Sequence, residues 1–349
     1  MDKILTVVIP TYNMERYLRY CLDSLCVSRG GDALEVLVIN DGSKDSSSAI
    51  AHEYERKHPG IFRVIDKENG NYGSCVNRGL AEAKGKYIKI LDADDSFDTE
   101  NFERFIDFLC NTDADLVVSD FAIVDEERTV KKTVNYCLGN GSLFCMEDIC
   151  TLDDFSDMQM HAVTYRLNIL LNMGYKQTEG ISYTDQQWIF SPMARVKTVA
   201  FFSNQPVYMY LVGRTGQTID PDVKIKRISE RAKNVLGMAI QYEKYSQEVT
   251  AKVKTYLDAR IRPNVQDIYV TCFSNRSKVD PDILRWFDEE LRKKAPILYD
   301  YIGCVNAYIT FWRNTVVRST WFEAIFCICF TFLLRLKLLF RRPDNVMVN

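Results

Sequence analysis

Tyr87-Ile88-Lys89-Ile90-Leu91-Asp92-Ala93-Asp94-Asp95 reads as an apolar strand that runs straight into three carboxylates with one small residue among them. In an extended strand residues two apart point the same way, so Asp92 and Asp94 are expected on one face at the strand's C-terminal end. Clustered carboxylates are costly without a cation nearby. Hard divalent ions take oxygen ligands, and Mg2+ in particular is held by one or two carboxylates, water and a substrate's phosphates. The spacing therefore implies a metal and a phosphate-ester substrate. Taken alone, Asp-x-Asp is a weak motif, and Asp95 or Asp98 equally suits the cap of a helix starting near Thr99.

Outward from this stretch, strands alternate with helices. Ile4 to Ile9 is a nearly unbroken apolar run, as expected of a parallel strand buried on both faces. After the break at Pro10-Thr11-Tyr12-Asn13, apolar residues at Met14, Tyr17, Leu18, Cys21, Leu22 and Leu25 predict a helical stripe. The pattern repeats with a strand at Val36 to Ile39, a turn at Asp41-Gly42-Ser43 and a helix from about Ser46. A strand at Phe62 to Ile65, a loop at Lys67 to Ser74 and a helix to Lys84, stopped by Gly85, follow. Such alternation predicts a doubly wound parallel sheet, in which ligands bind beyond the C-terminal strand ends. Thr11 to Asn13, Asn40 to Asp45, Lys67 to Asn77 and Asp92 to Asp95 all belong to that rim. The first loop lacks Gly-x-Gly-x-x-Gly, and no Walker-type loop is present, which removes the fingerprints of dinucleotide oxidoreductases and P-loop enzymes.

Composition narrows the class further. A chain of 349 residues, 47% apolar, can bury a sizeable core in two domains or in one with large additions. Its net charge of -3 gives no electrostatic support for general nucleic-acid binding. The 11 cysteines are scattered without a Cys-x-x-Cys pair, which argues for reduced, cytoplasmic thiols. The N-terminus runs into a strand and shows no secretory leader. Of the three histidines, His52 and His58 fall on a polar helix and its end and are expected to face solvent, whereas His161 is either a core or a cleft residue. Histidine-based zinc chemistry is not expected.

Several motifs add up in order and spacing. Val7-Val8-Ile9-Pro10-Thr11-Tyr12-Asn13, Val38-Ile39-Asn40-Asp41-Gly42-Ser43, the Asn69-Gly70 to Gly79 loop, and Leu91-Asp92-Ala93-Asp94-Asp95 together resemble the family 2 glycosyltransferases. The resemblance covers roughly the first 120 residues strongly and the remainder loosely. It implies an α/β GT-A fold, a Rossmann-like and mostly parallel sheet with flanking helices, plus a C-terminal helical region. It also implies inverting transfer of one sugar from a nucleotide-sugar, usually a UDP-sugar, with Mn2+ or Mg2+. Pro10, Thr11 and Tyr12, with Asn13, look like the wall around the nucleoside, and Asp41 like the carboxylate that hydrogen-bonds the uracil. An ordinary Asp-Gly turn is the other reading of Asp41. Asn69, Asn77 and Ala93 fall in the same donor-binding motifs. Asp92 resembles the ribose-side acid and a secondary metal ligand, and Asp94 the main one. Where the family often has Arg-Asn, this chain has Val76-Asn77. Arg78 lies about 200° round a helix from the missing arginine and reads as solvated or structural.

Downstream, Tyr183-Thr184-Asp185 resembles the family's Tyr-Glu-Asp stretch, which makes Asp185 the candidate general base and Glu179 a fallback. Asp185 also suits the first turn of a helix. Thr184 stands where a second carboxylate is usual. Trp188 with Tyr183 suits either an aromatic acceptor platform or the core. Arg214, between Gly213 and Gly216, is placed to reach a diphosphate from a mobile lid. No Gln-x-x-Arg-Trp motif of the processive synthases is present, which favours single-sugar addition.

The expected division is 1–125 for nucleotide-sugar binding, 126–220 for acceptor and base, 221–320 helical, with a break near Asp220-Pro221-Asp222, and 321–349 an amphipathic tail. Trp321 to Phe340 is apolar, but Glu323, Arg335 and Lys337 leave only Ala324 to Leu334 uncharged, too short for a span. With Arg341 and Arg342 alongside, the tail reads as interfacial, binding the cytoplasmic face of the plasma membrane, or as a helix packed on protein or on a homodimer partner. A membrane setting suits a lipid-linked glycan acceptor. Competing readings are a nucleotidyltransferase, which lacks its glycine-rich basic first loop here, and a degenerate scaffold that binds sugar nucleotide.

Overall fold

A continuous apolar run has no polar alternation to give it a solvent side, and the first two runs become strands buried along their whole length. β1 (Leu5–Thr11) and β2 (Leu34–Asn40) pair in parallel, Leu5 opposite Leu34. β3 (Phe62–Asp66) extends the sheet beyond β2, and β4 (Tyr87–Ile90) pairs with the other side of β1, both in parallel. The computed structural model describes residues 3–136, 138–139, 141–156, 158–182, 184–213, 221–316 and 320–339.

Between these strands run α1 (Leu18–Asp23), α2 (Ser47–Lys57) and α3 (Asn71–Glu82). The stripe from Met14 to Leu25 yields only the short α1. Asn13 takes a φ of 53°, and the Met14 amide donates to Ser47 Oγ at 2.7 Å, so the first turn is given over to loop contacts. α3 lies close against the sheet at Gly79, where a Cβ would come within 2.4 Å of Val8 Cγ1.

β5 (Ser96–Phe97) and α4 (Thr99–Cys110) follow, and Asp98 is the cap of α4, accepting from the Asn101 amide at 3.0 Å. Next come β6 (Leu116–Ser119), β7 (Phe121–Val124), β8 (Val130–Val134) and β9 (Leu143–Cys145), then the short helices α5 (Met146–Ile149) and α6 (Asp153–Ser156). β10 (Val163–Arg166), α7 (Leu167–Asn172), α8 (Asp185–Trp188), β11 (Thr198–Phe202) and β12 (Tyr208–Leu211) complete the α/β part. The large sheet has the order β3-β2-β1-β4-β10-β6-β11-β9, with β10 antiparallel to both neighbours and β9 antiparallel on the edge. A second sheet, β5-β12-β7-β8, carries β12 parallel to β7.

The expected extended Asp92–Asp94 face is not formed. β4 ends at Ile90, and the Asp95 amide donates to Asp92 O at 3.0 Å, closing a turn. The reason is Asp95, which is 1% exposed and finds its donors on β12 rather than along a continued strand. Trp188, a possible platform, is fully buried, its ring edge-on to Tyr165 at 5.1 Å.

The chain forms two compact units, Met1–Gln217 with Tyr245–Arg260, and Thr218–Lys244 with Ile261–Asn349. Helices of the C-terminal region are α9 (Pro221–Lys226), α10 (Ile228–Tyr245), α11 (Ala251–Ser274), α12 (Pro281–Lys294), α13 (Pro296–Val305), α14 (Ala307–Phe311) and α15 (Thr320–Leu339). Aromatic rings fill the second unit's core, Tyr269 and Phe273 each lying 6.0 Å from Trp312. Among the described residues no helix is long and apolar enough to cross a membrane.

Two expectations follow. His52 on α2 is held between Glu55 Oε2 and Asp66 Oδ2, each at 2.8 Å, and these hydrogen bonds, that to Asp66 first, raise its pKa. A raised folded-state pKa contributes stability that is fully present below the unfolded value of about 6.5 and is lost as pH rises through the folded value. The difference in urea midpoint between the native chain and His52→Gln should therefore be largest in mild acid and vanish in alkali; a difference independent of pH would refute the linkage. Gly73 packs so tightly that an added Cβ would lie 2.2 Å from Thr178 O. Gly73→Ala should cost about 1–3 kcal/mol by overpacking. It should also speed hydrogen exchange at Gly180, whose amide donates to Gly70 O at 2.9 Å. Unchanged exchange there would mean that the segment yields without strain.

Candidate active site

The loops after β1, β2 and β3 are laced together by their own polar groups. The Asp41 amide donates to Thr11 O at 2.8 Å, Lys44 N to Asn13 Oδ1 at 2.8 Å, and Asn40 Nδ2 to Asp66 Oδ1 at 2.6 Å. Pro10 and Thr11 are buried at the end of β1, whereas Tyr12 and Asn13 stand exposed beyond it. The Asp41 carboxylate is almost wholly buried, and its Oδ1 accepts from Lys67 Nζ at 2.5 Å and from the Gly70 amide at 3.0 Å. Lys67 also donates to Ser74 Oγ at 2.9 Å. Asn69 Nδ2 donates to Asp41 O at 3.0 Å, so this side chain shapes the loop around the carboxylate.

Asn77 faces a different way. Its Nδ2 donates to Gln177 O at 3.0 Å and to Glu179 Oε1 at 2.8 Å, while its Oδ1 accepts from the Gln177 amide at 2.8 Å. The side chain thus ties α3 to the segment that leads to Asp185, and Glu179 is exposed at that junction. Val76 is fully buried, and Arg78 pairs with Glu82 one turn on, at 2.9 Å.

The turn after β4 brings together Asp92, Asp95 and His161, whose ligand atoms lie within 4.8 Å of one another. Tyr72 OH donates to Asp92 Oδ1 at 2.7 Å. Asp95 accepts from Tyr208 OH at 2.5 Å and from the Leu211 amide at 2.7 Å. Burial, reinforced by Asp94 and Asp92, pushes the Asp95 pKa well above the usual carboxylate range. Asp94 itself is buried in the same turn, and Ala93 beside it leaves no bulk between the acids. Arg128 donates to Asp94 O at 3.2 Å and lies over the Tyr20 ring at 4.1 Å.

His161 is buried against two tyrosines of β12. Its ring stacks on Tyr210 at 4.2 Å and meets Tyr208 edge-on at 4.8 Å. Burial, with Lys89 adding to it, drives its pKa down to about 3, so the imidazole is neutral. Its Nδ1 is buried without a hydrogen-bond partner among the described residues. Behind it, the fully buried Lys89 donates to His161 O at 2.7 Å and to Val163 O at 3.3 Å.

Asp185 opens α8 half-buried, and burial raises its pKa. Its charge acts on Tyr72 and Tyr210, the same two tyrosines on which Asp92 and Asp95 act. Thr184 is buried, donating to Gln177 Oε1 at 2.8 Å. Tyr183 and Arg214 lie outside the described residues.

The sequence reading missed Lys67, Tyr72, Arg128 and the Tyr208/Tyr210 pair. Only the last carried a local signal, the two-residue spacing that puts both rings on one face of a strand.

Residues 6–160 match Glycosyl transferase family 2. Uncharacterized glycosyltransferase YibD of Escherichia coli (strain K12) is 27% identical over 216 residues, 60% of this chain and 62% of that protein. Minor teichoic acid biosynthesis protein GgaB of Bacillus subtilis (strain 168) is 36% identical over 104 residues, 30% of this chain and 12% of GgaB. The chain thus spans less than two thirds of the length of either relative. The crystal structure of S. aureus TarS 1-349 superposes with a TM-score of 0.68 at 16% identity, covering 97% of this chain and 93% of TarS. Its complex with UDP-GlcNAc gives 0.52 at 17% identity, covering 83% and 91%. At such identities the likeness shows the fold, which is GT-A. Motif order and fold agree with the match to glycosyl transferase family 2, which takes in residues 6–160, less than half of the chain.

Proposed function

We propose that this protein is a metal-dependent, inverting glycosyltransferase that moves one sugar from a UDP-sugar to a hydroxyl of a glycan or lipid-linked glycan in the assembly of bacterial surface polysaccharide. The observation that supports the reading is that Asp185 and the acids of the Asp92–Asp95 turn act on the same two tyrosines, Tyr72 and Tyr210. The binding of UDP-GlcNAc by TarS and the teichoic-acid role in GgaB's name support the donor and the kind of acceptor.

The nucleoside end would rest on Pro10 to Asn13, with the buried Asp41 aimed at the base and Lys67 holding its carboxylate in place. The diphosphate would then reach the acid turn. The residues fit a divalent ion there. His161, whose Nδ1 is buried without a partner among the described residues, offers a ring nitrogen beside Asp92 and Asp95, and Asp94 lies in the same turn. Two carboxylate groups with an imidazole suit Mn2+ better than Mg2+. When bound, such an ion would supply positive charge that offsets the charge building on the departing diphosphate.

Asp185 takes the proton of the acceptor hydroxyl. The hydroxyl oxygen bonds to the anomeric carbon as the bond from that carbon to the diphosphate oxygen breaks, and UDP leaves with the electron pair. Attack from the Asp185 side, opposite the nucleotide, inverts the centre. Burial suits Asp185 to this task, because a raised pKa makes the carboxylate a stronger base.

Calorimetry with a panel of UDP-sugars, with Mn2+ and with chelator, tests the donor half. One sugar nucleotide should bind, and only with metal. Asp185→Asn should keep that binding and lose transfer by about a hundredfold or more. In the native protein kcat/KM should fall as pH drops through the raised Asp185 pKa, giving an acid limb above the ordinary aspartate value of about 3.9. Near-normal turnover by Asp185→Asn with the true acceptor would remove Asp185 from the reaction.

A further inference from the structure

The outer face of α15, in the second unit, has no part in the proposed transfer. The inner face of this helix is packed: Cys327 and Phe330 are buried, and Phe326 and Phe330 meet Phe273 at 5.0 and 5.2 Å. The helix's one carboxylate, Glu323, is also turned inward. It accepts from Arg285 Nη2 at 2.5 Å and from Trp312 Nε1 at 3.4 Å.

The opposite side is apolar and open. Phe322, Ile325, Ile328, Phe332 and Leu333 are between 41% and 70% exposed, and their spacing of one helical turn makes a continuous stripe. Tyr308 and Phe311 of α14 widen it. Phe311 stacks on Phe326 at 5.8 Å, and Tyr308 meets Phe330 edge-on at 5.2 Å, yet about half of each remains exposed. Thr331 keeps its hydroxyl within the helix, donating to Cys327 O at 2.7 Å.

We propose that this face docks on an anionic lipid surface. With Glu323 buried, the outward side of α15 carries no carboxylate among its described residues. The same helix continues through Arg335 and Lys337, and Arg341 and Arg342 follow in the sequence, four cations against the single Asp344. An apolar stripe followed in the sequence by cations, on a helix too short in apolar length to span, matches an interfacial helix drawn to acidic headgroups. A second copy offers no such match, since its α15 would bring the same cations and the same inward-turned Glu323. The inference is independent of sugar transfer and needs no donor or acceptor.

Flotation of the full chain with vesicles tests it, using phosphatidylcholine alone and phosphatidylcholine mixed with phosphatidylglycerol. The protein should float with the mixed vesicles about tenfold more than with the neutral ones, and less as salt rises. The double variant I328E/F332E changes two exposed side chains and should retain its thermal unfolding midpoint while losing flotation. Equal flotation with both vesicles, or flotation of the variant like the native chain, would overturn the proposal. So would absence of flotation from a native chain whose concentration-dependent dimer the variant abolishes, a result that gives the face to a second copy.

Discussion

Asp95 is the constraint from which the candidate site follows. A carboxylate removed from water must be given donors, and an unsatisfied one is among the most costly groups a core can hold. Both donors come from β12, the Tyr208 hydroxyl and the Leu211 amide. The demand of one side chain thereby fixes the second sheet against the end of β4. It also brings Tyr208 and Tyr210 around His161, and it bends the chain so that Asp92 and Asp95 come together.

The polar groups of the cleft fall into two kinds. Lys67, Asn69, Asn77 and Lys89 spend their hydrogen bonds on the protein itself, holding Asp41, the Asp41 loop, the approach to Asp185 and the His161 backbone. Asp41, Asp92, His161 and Asp185 are what that work holds in place. Preorganisation of this kind matters for charge-transfer chemistry because dipoles fixed beforehand need not reorganise as the reaction proceeds. Val76, which stands where the resemblance implies an arginine, fits the same division. Val76 is a packing residue in α3, and the cation nearest Asp41 is Lys67, from the loop before the helix.

What the sequence made legible was local. β1 through β4 and their helices announce themselves through runs, caps and breaks, and the rim loops follow from the parallel arrangement. The resemblance then named Asp41, Asp92, Asp94 and Asp185. What was hidden depends on partners distant in the chain. Three acids around one alanine after a strand read the same whether the chain stays extended or turns, and the choice was made by β12, more than a hundred residues later. The short β10 carries too few residues for periodicity to speak, and His161 could be read as core or cleft because its neighbours Tyr208 and Tyr210 are not its neighbours in sequence. The helical stripe after Asn13 was overread for a similar reason: Ser47, on another helix, takes the amide that would have begun it.

β10 also has a temporal consequence. It lies antiparallel between β4 and β6, so the sheet's first four strands, complete by Ile90, stand beside a gap until Val163–Arg166 has been made. Asp95 waits longer, for Leu211. During synthesis on the ribosome, the half built on β1 to β4 can assemble from near neighbours as it emerges, whereas the acid turn carries a carboxylate without its donors for the length of more than a hundred further residues. The candidate site is therefore among the last parts of its unit to form, and a chain interrupted before β12 holds a folded sheet edge with the acid turn incomplete.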